Sequence, residues 1–376
     1  MRGAECLCGG TNERLPHHTS ITPDLGEEIE IVFDKKKLHF FDAKTEDMIR
    51  NFSELLSKAK KSGPKRISVA AAEDRVVVEA MSIAKKEGVA SGILVGNKNK
   101  IEKIAKGIQL RDFEIVDVKD ETEAVREAVS LVRNGSADIL MKGFVPTNLF
   151  LKGVLDKENG LRTDRVLSHC AVLEVPSYPK LLFLTDGGMC IRPDLQTKLD
   201  IIKNAADLAH SLGIKRPKVA ILAAVETVSE KMEETVHAAE ICKLWERNQL
   251  RNMVVDGPLA LDIAISKEAA EHKKIKSLVA GDADILVVPD VAAGNIFAKG
   301  MIWLAGAKAS GLVLGASSPC VLLSRADTPE TKLYSIALGV VSSSEPMKPR
   351  ITFTPLDSKH LTGQVNRMHT NNIKNS

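Results

Sequence analysis

A single rhythm constrains this chain more than any other feature. Between Met48 and about Ser344, short runs rich in Val, Ile and Leu alternate with longer segments whose apolar residues recur at helical spacing. Alternation of that kind builds βαβ units around a mostly parallel sheet. The runs that read as strands are Ile67–Ala71, Ile93–Val95, Ile115–Val118, Ile139–Met141, Ser168–Val175, Leu181–Thr185, Lys218–Ala223, Ile285–Val288, Leu312–Leu314 and Val321–Ser324. They are too many for one ordinary sheet, and 376 residues suffice for two packed cores, so two α/β domains are expected.

Outside this region the pattern changes. Residues 1–47 mix Pro16, His17-His18, Pro23 and a charged strand-like piece, Glu28 to Phe33, and read as an extension foreign to the rest of the chain. Met48 then opens an amphipathic helix through Ile49, Phe52, Leu55, Leu56 and Ala59, which Ser62-Gly63-Pro64 stops. After Pro346 the chain is polar and irregular, and a loosely ordered tail is expected through Ser376. Gly135-Ser136-Ala137-Asp138-Ile139-Leu140 and Gly281-Asp282-Ala283-Asp284-Ile285-Leu286 echo each other. One match of six residues proves no duplication, since the same hexapeptide can simply be a favourable way to enter a parallel strand.

Composition removes several classes of function. The net charge is only +3, basic residues interleave with acidic ones as in Lys231-Met232-Glu233-Glu234, and aromatics make up 4%. That leaves neither an electrostatic footprint for nucleic acid nor a base-stacking platform. The longest apolar candidate, Ile285 to Leu323, is broken by Asp290, Lys299 and Lys308, so no membrane anchor is expected. The first residues lack a secretory pattern, and the expected location is cytoplasmic. Cys170, Cys190, Cys242 and Cys320 show no pairing interval and read as buried free thiols. Cys6-x-Cys8 followed by His17-His18 is a weak metal signal, and no metal is expected.

In open parallel sheets, ligands bind beyond the carboxyl ends of strands. The exits to weigh are Lys142-Gly143-x-x-Pro146-Thr147, Thr185-Asp186-Gly187-Gly188, Asp256-Gly257-Pro258, Pro289-Asp290-x-x-x-Gly294-Asn295 and Ser324-Arg325-Ala326-Asp327. At the last, Thr328-Pro329-Glu330 fits a helix start with Thr328 as N-cap and Pro329 in the first helical position. New backbone N–H groups and the Arg325 guanidinium would then face one anion together, although an Arg325–Asp327 surface ion pair reads the same residues without a ligand. Lys142 can reach a phosphate directly after its strand, whereas Thr147 serves equally as a cap for the helix Asn148–Val154. Asp186-Gly187-Gly188 reads alone as a turn. Asp290, Gly294 and Asn295 fit either a phosphate or pantetheine contact or a cap. His169, inside an apolar strand, reads as a satisfied core histidine. Neither Gly-x-x-x-x-Gly-Lys-Ser/Thr nor Gly-x-Gly-x-x-Gly occurs, which argues against a nucleotide triphosphatase and weakens a dinucleotide reading.

Taken in order, Met141-Lys142-Gly143-Phe144-Val145-Pro146-Thr147, Glu158-Asn159-Gly160-Leu161-Arg162, Leu167-Ser168-His169, Thr185-Asp186-Gly187-Gly188, Val255-Asp256-Gly257-Pro258-Leu259-Ala260-x-Asp262, Pro289-Asp290-x-x-x-Gly294-Asn295 and Ser324-Arg325-Ala326-Asp327 closely resemble the phosphate acetyl/butyryltransferase family, and within it the butyryl type. The resemblance spans about Met48 to Ser344. Residues 1–47, by contrast, loosely resemble the tail of a sugar-transporter ATPase subunit around Glu28-Ile29-Glu30-Ile31-Val32-Phe33-Asp34 and are expected to contribute nothing to function.

The family resemblance implies two α/β/α domains with an inter-domain cleft, of the isocitrate/isopropylmalate dehydrogenase-like kind, assembled as a homodimer or larger homo-oligomer. It places the first domain at residues 48–165 plus 321–345 and the second at 166–320. The implied reaction is acyl-CoA plus phosphate giving acyl phosphate plus CoA through a ternary complex, with no metal or redox cofactor. Ser324 would hydrogen-bond the reacting carbonyl or thiol, and Arg325 would neutralise phosphate. In acetyl-type members a carboxylate several residues later acts as base. Seven positions after Ser324 this chain has Thr331, so the role passes to Asp327 by proximity. A second arginine of those members is not reproduced in spacing; Arg162 and Arg165 are the candidates, Arg162 ahead, with Lys142 and Thr147 serving the same anionic load. A butyryl or branched acyl group is the first expectation and acetyl the second. A non-catalytic acyl-CoA-binding module, as found fused to malic enzymes, is the reading from another class, and a dehydrogenase is disfavoured because no Asp cluster has metal-ligand spacing.

Overall fold

The structure is a computed structural model. It describes residues 7–8, 11–12, 48–108, 113–322 and 327–344. Residues Met1–Glu46 form a unit of their own, in which β1 (Leu7–Cys8) pairs antiparallel with β2 (Thr11–Asn12). The side chains of Cys6, Cys8, His17 and His18, the piece Glu28 to Phe33 and the tail beyond Ser344 lie outside the described residues.

The second unit begins at Asp47. Its first helix, α1 (Phe52–Lys61), starts four residues later than the sequence pattern suggests. Asn51 sets that start, because its side-chain oxygen caps Glu54 N while its Nδ2 donates to the Glu54 carboxylate. The residues before it are already committed elsewhere, since Ile49 N donates to Leu212 O at 2.9 Å. Next come β3 (Lys65–Ala70), α2 (Arg75–Lys86), β4 (Ala90–Gly96), α3 (Lys98–Ile104), β5 (Glu114–Asp117), α4 (Glu121–Arg133), β6 (Ile139–Lys142) and α5 (Thr147–Val154). The chain continues through β7 (Ser168–Glu174), β8 (Leu182–Thr185), α6 (Leu195–Ser211), β9 (Lys218–Leu222), α7 (Glu233–Glu246), β10 (Val254–Leu259), α8 (Leu261–Ile265), α9 (Lys267–His272), β11 (Ile285–Val287) and α10 (Val291–Trp303). It ends in β12 (Lys308–Leu314), β13 (Cys320–Val321) and α11 (Pro329–Ser344). This is an α/β fold.

Rather than two separate ladders, the strands form one sheet of 11 in the order β10-β9-β11-β8-β7-β12-β13-β6-β3-β4-β5. Two all-parallel blocks lie in it, β10-β9-β11-β8 and β13-β6-β3-β4-β5. Between them, β8/β7, β7/β12 and β12/β13 are antiparallel, so the blocks run in opposite directions. Their junction rests on one register pair, Val313 with Cys320. β10 is a strand at Asp256-Gly257-Pro258, where the sequence pattern suggests only an exit. A proline removes a ladder donor, but β10 lies at the sheet edge, where that donor is not needed. β12 likewise begins earlier than expected, because Ser310 and Gly311 interrupt its apolar pattern.

The cores explain where a site can lie. One face of the sheet carries a single core that joins Phe52, Ile67 and Leu94 of the first block to Phe183, Val219 and Ile202 of the second, with α11 packed across it. The other face carries two cores. One unites Val125, Leu140, Phe150 and Val313, and the other unites Ala171, Leu184, Ala220 and Ile263. The strip between these two cores runs along β7 and β12, where His169 pairs with Val313.

The hexapeptide echo has a shared physical cause. Gly135 and Gly281 both take positive φ, at 81° and 75°. Three residues on, Asp138 receives the N–H of Arg66 at 2.9 Å and Asp284 that of Lys218 at 2.8 Å. Each aspartate thus clamps the entry of the neighbouring parallel strand, β3 in one block and β9 in the other.

Candidate active site

At the β8 exit, Asp186 is almost fully buried, and its carboxylate is surrounded by donors. Oδ1 accepts from Gly188 N at 2.7 Å and Met189 N at 2.8 Å, while Oδ2 accepts from His169 N at 3.0 Å and Cys190 N at 3.3 Å. Four backbone N–H groups satisfy the charge without a cation. The expected turn is present, and its aspartate also anchors β7.

α10 is docked on this turn. Asp290 is its N-cap, accepting from Ala293 N at 2.9 Å. A Cβ on Gly294 would lie 2.7 Å from Gly187 Cα, so helix and turn touch through bare backbone. Asn295 Nδ2 donates to Gly187 O at 3.3 Å. Asp290, Gly294 and Asn295 are therefore brought together with the Asp186 turn, and the cap reading of Asp290 holds.

At the β6 exit, Lys142 Nζ donates to the carbonyls of Gly143 and Val145, each at 3.1 Å. Gly143 itself is packed on β3's exit: its N donates to Ala70 O at 2.8 Å, and a Cβ there would run into Ala71 O. Thr147 is the first residue of α5 rather than its cap. Pro146 takes the cap position without a side-chain bond, and the Thr147 hydroxyl is exposed with no hydrogen bond to any described residue. Of the two arginine candidates, Arg165 is engaged with Asp207 on α6. Arg162 is exposed and makes no ion pair or hydrogen bond among the described residues.

Ser324 and Arg325 lie outside the described residues. Asp327, next in the chain after Ala326, is partly buried, and its carbonyl accepts from Lys332 Nζ. The helix start is as the sequence indicates, with Thr328 Oγ1 accepting from Thr331 N at 3.2 Å and Pro329 in the first position. Thr331, where a carboxylate would serve as base, holds its hydroxyl 3.1 Å from that of Thr328.

His169 departs from the sequence reading. It is not a satisfied core histidine: Nδ1 is shielded from solvent and has no hydrogen-bond partner. The ring lies in a slot made by two glycines. A Cβ on Gly188 would sit 3.2 Å from the ring's Cγ, and one on Gly311 only 2.8 Å from Nε2. Burial pushes the imidazole below its ordinary pKa, while the carboxylates of Asp186 and Asp327 pull it upward. Leu167-Ser168-His169 is one of the motifs behind the family resemblance, but the unpartnered ring is not legible there, because the slot is formed by glycines on a turn and on β12, far along the chain.

Nearby thiols are protonated spectators. Burial drives Cys170 upward and pushes Cys190 and Cys320 up to about 12. Cys170, Cys190, Cys242 and Cys320 are free; Cys170 and Cys320 are buried as expected, whereas Cys190 and Cys242 are only half-buried. Among the described residues, no group of three or more His, Cys, Asp or Glu side chains is placed to hold a metal ion.

Comparison with known proteins decides the family. Residues 51–129 and 120–340 match the sequence model of the phosphate acetyl/butaryl transferases. The chain belongs to that family. It is 46% identical over 296 residues to a phosphate butyryltransferase of Clostridium acetobutylicum, covering 78% of this chain and 98% of that protein. A phosphate acetyltransferase of Thermotoga maritima is 42% identical over 292 residues, covering 77% and 99%. Among solved structures, a branched-chain phosphotransacylase from Enterococcus faecalis V583 superposes with a TM-score of 0.68 at 34% identity, covering 74% of this chain and 99% of that one. Members of both acyl types therefore resemble this chain over nearly their whole length.

Proposed function

We propose that this chain catalyses reversible transfer of a short acyl group between coenzyme A and inorganic phosphate, with butyryl or branched acyl groups preferred. The 46% identity to a phosphate butyryltransferase over 98% of that protein carries this reading, and the similarity to a branched-chain phosphotransacylase supports the acyl preference. A preference for acetyl is the second reading, favoured by the 42% identity to a phosphate acetyltransferase.

In the proposed ternary complex, phosphate oxygen attacks the thioester carbonyl and CoA thiolate leaves. The transfer is redox-neutral, and neither a metal nor a redox cofactor has a step in it. Arg325 neutralises phosphate charge and Ser324 hydrogen-bonds the reacting carbonyl or thiol, while Asp327 adds a carboxylate beside them. Arg162, Lys142 and Thr147 share the anionic load from the first parallel block; Arg162 is the one whose guanidinium has no partner among the described residues. The α10 start with Asp290, Gly294 and Asn295 receives pantetheine or phosphate from the second block. The active cleft lies between a first domain of residues 48–165 plus 321–345 and a second of 166–320.

The working form is a homodimer or larger. α10 supports this, because Ile296 is 72% exposed, Trp303 76% and the adjoining Leu304 90%, an apolar stripe that a partner would cover. A cytoplasmic location goes with these substrates; among the described residues, no helix is long and apolar enough to cross a membrane. Trapping the product with hydroxylamine tests the reaction. Butyryl-CoA should yield butyryl hydroxamate at a rate that depends on both enzyme and phosphate, and binding of acyl-CoA with no phosphate-dependent hydroxamate would overturn the proposal in favour of a non-catalytic module.

A further inference from the structure

The proposed chemistry needs a group that removes the CoA thiol proton when CoA attacks an acyl phosphate. A thiol with a pKa of about 8.5 is only a small percentage thiolate at neutral pH. The position expected to hold a carboxylate is Thr331, whose hydroxyl is engaged with Thr328. Asp186 is occupied by four backbone donors. Cys170 and Cys190 are held protonated.

We propose that His169 is the proton acceptor for the CoA thiol, acting through Nε2. His169 lies on the strip of sheet between the two cores, at the edge shared with the Asp186 turn. Nδ1 is sealed behind Gly188, which leaves Nε2, on the Gly311 side, as the nitrogen that can exchange a proton. Neither ring nitrogen has a hydrogen-bond partner among the described residues, so no fixed bond must break before the ring accepts one. The charged groups acting on it are Asp186 from the β8 exit and Asp327 from the approach to α11; the Cys170 thiol lies on the opposite face of β7, and β12 offers only Gly311 and Val313. Both carboxylates stabilise the imidazolium that forms.

The step balances. Nε2 takes the S–H proton as the S–C bond forms and the C–O bond to phosphate breaks, and the imidazolium then returns the proton to the departing phosphate. In reverse, phosphate yields its proton to Nε2 and the leaving thiolate collects it. This role rests on the proposed transfer reaction.

The test is the pH profile of kcat/KM for CoA with butyryl phosphate, in wild type, His169→Gln and Asp327→Asn. Wild type should fall only on acidification, as the imidazole protonates. His169→Gln should be slower by roughly 10²–10⁴ at pH 7 and recover about tenfold per pH unit toward pH 8.5, because only preformed thiolate then reacts. Asp327→Asn should be slower, and the acid limb of its remaining activity should move to lower pH, because the imidazole loses a nearby negative charge. A His169→Gln enzyme as fast as wild type, or one slowed equally at every pH, would overturn the assignment. So would an Asp327→Asn enzyme whose acid limb stays in place. Absence of turnover by wild type would instead remove the transfer reaction itself.

Discussion

The backbone N–H of His169 donates to the Asp186 carboxylate at 3.0 Å, while the His169 carbonyl accepts from the Thr185 hydroxyl at 2.9 Å. The β8 exit thus holds β7 by both backbone groups of one residue, and the imidazole is fixed without any bond to the imidazole itself. Asp186→Asn should break this clamp, since an amide group would face N–H donors. Each donor left unsatisfied costs about 1–3 kcal/mol, so urea unfolding should show a large loss of stability. An unchanged midpoint would contradict the clamp.

His169 also predicts how stability depends on pH. Its folded pKa lies below the ordinary value of 6.5, so below about pH 6.5 the unfolded chain binds more protons than the folded one. Stability contributed by keeping this ring neutral is therefore lost as pH falls through 6.5 toward the folded pKa. Urea midpoints compared at pH 7.5 and 5.5 should drop more in wild type than in His169→Gln.

The two arginines after α5 should separate cleanly. Arg162→Ala should raise KM for phosphate with little effect on stability. Arg165→Ala should leave KM unchanged and cost about 0–1 kcal/mol, because Arg165 is spent on a partly exposed pair with Asp207. Steady-state kinetics and urea melts on both variants make the comparison.

Asp290→Ala removes the N-cap of α10 and should cost about 1 kcal/mol. It should also loosen the contact of Gly294 and Asn295 with the Asp186 turn, seen as faster amide exchange at Gly187 and Gly188. Protection unchanged from wild type would show that the turn stands without the helix.

Trp303→Glu should dissociate the oligomer without unfolding the chain, because the indole is exposed and packs on no core. Sedimentation would show a smaller particle; an unaltered mass would move the interface away from α10.

Much of this is legible in the sequence, for identifiable reasons. Buried parallel strands advertise themselves as apolar runs, and Thr328-Pro329 announces a helix start with local chemistry alone. β10 is hidden because Pro258 reads as a breaker until the strand is known to lie at the sheet edge. Asp186 reads as part of a turn, since three of its four donors lie within the next four residues but His169 comes from 17 residues upstream. The unpartnered state of His169 depends on glycines at 188 and 311, neither of which is informative until the fold sets both against one ring. Ordered motifs from several exits identify the family where no single exit can.

The central claim is acyl transfer between coenzyme A and phosphate, and it is tested most directly by phosphate-dependent release of free thiol from acetyl-, butyryl- and isobutyryl-CoA, with Arg325→Ala as control. Thiol release that requires phosphate, ranks butyryl or isobutyryl above acetyl and disappears in Arg325→Ala is the predicted result. Thiol release independent of phosphate, or acyl-CoA bound and never turned over, would contradict it.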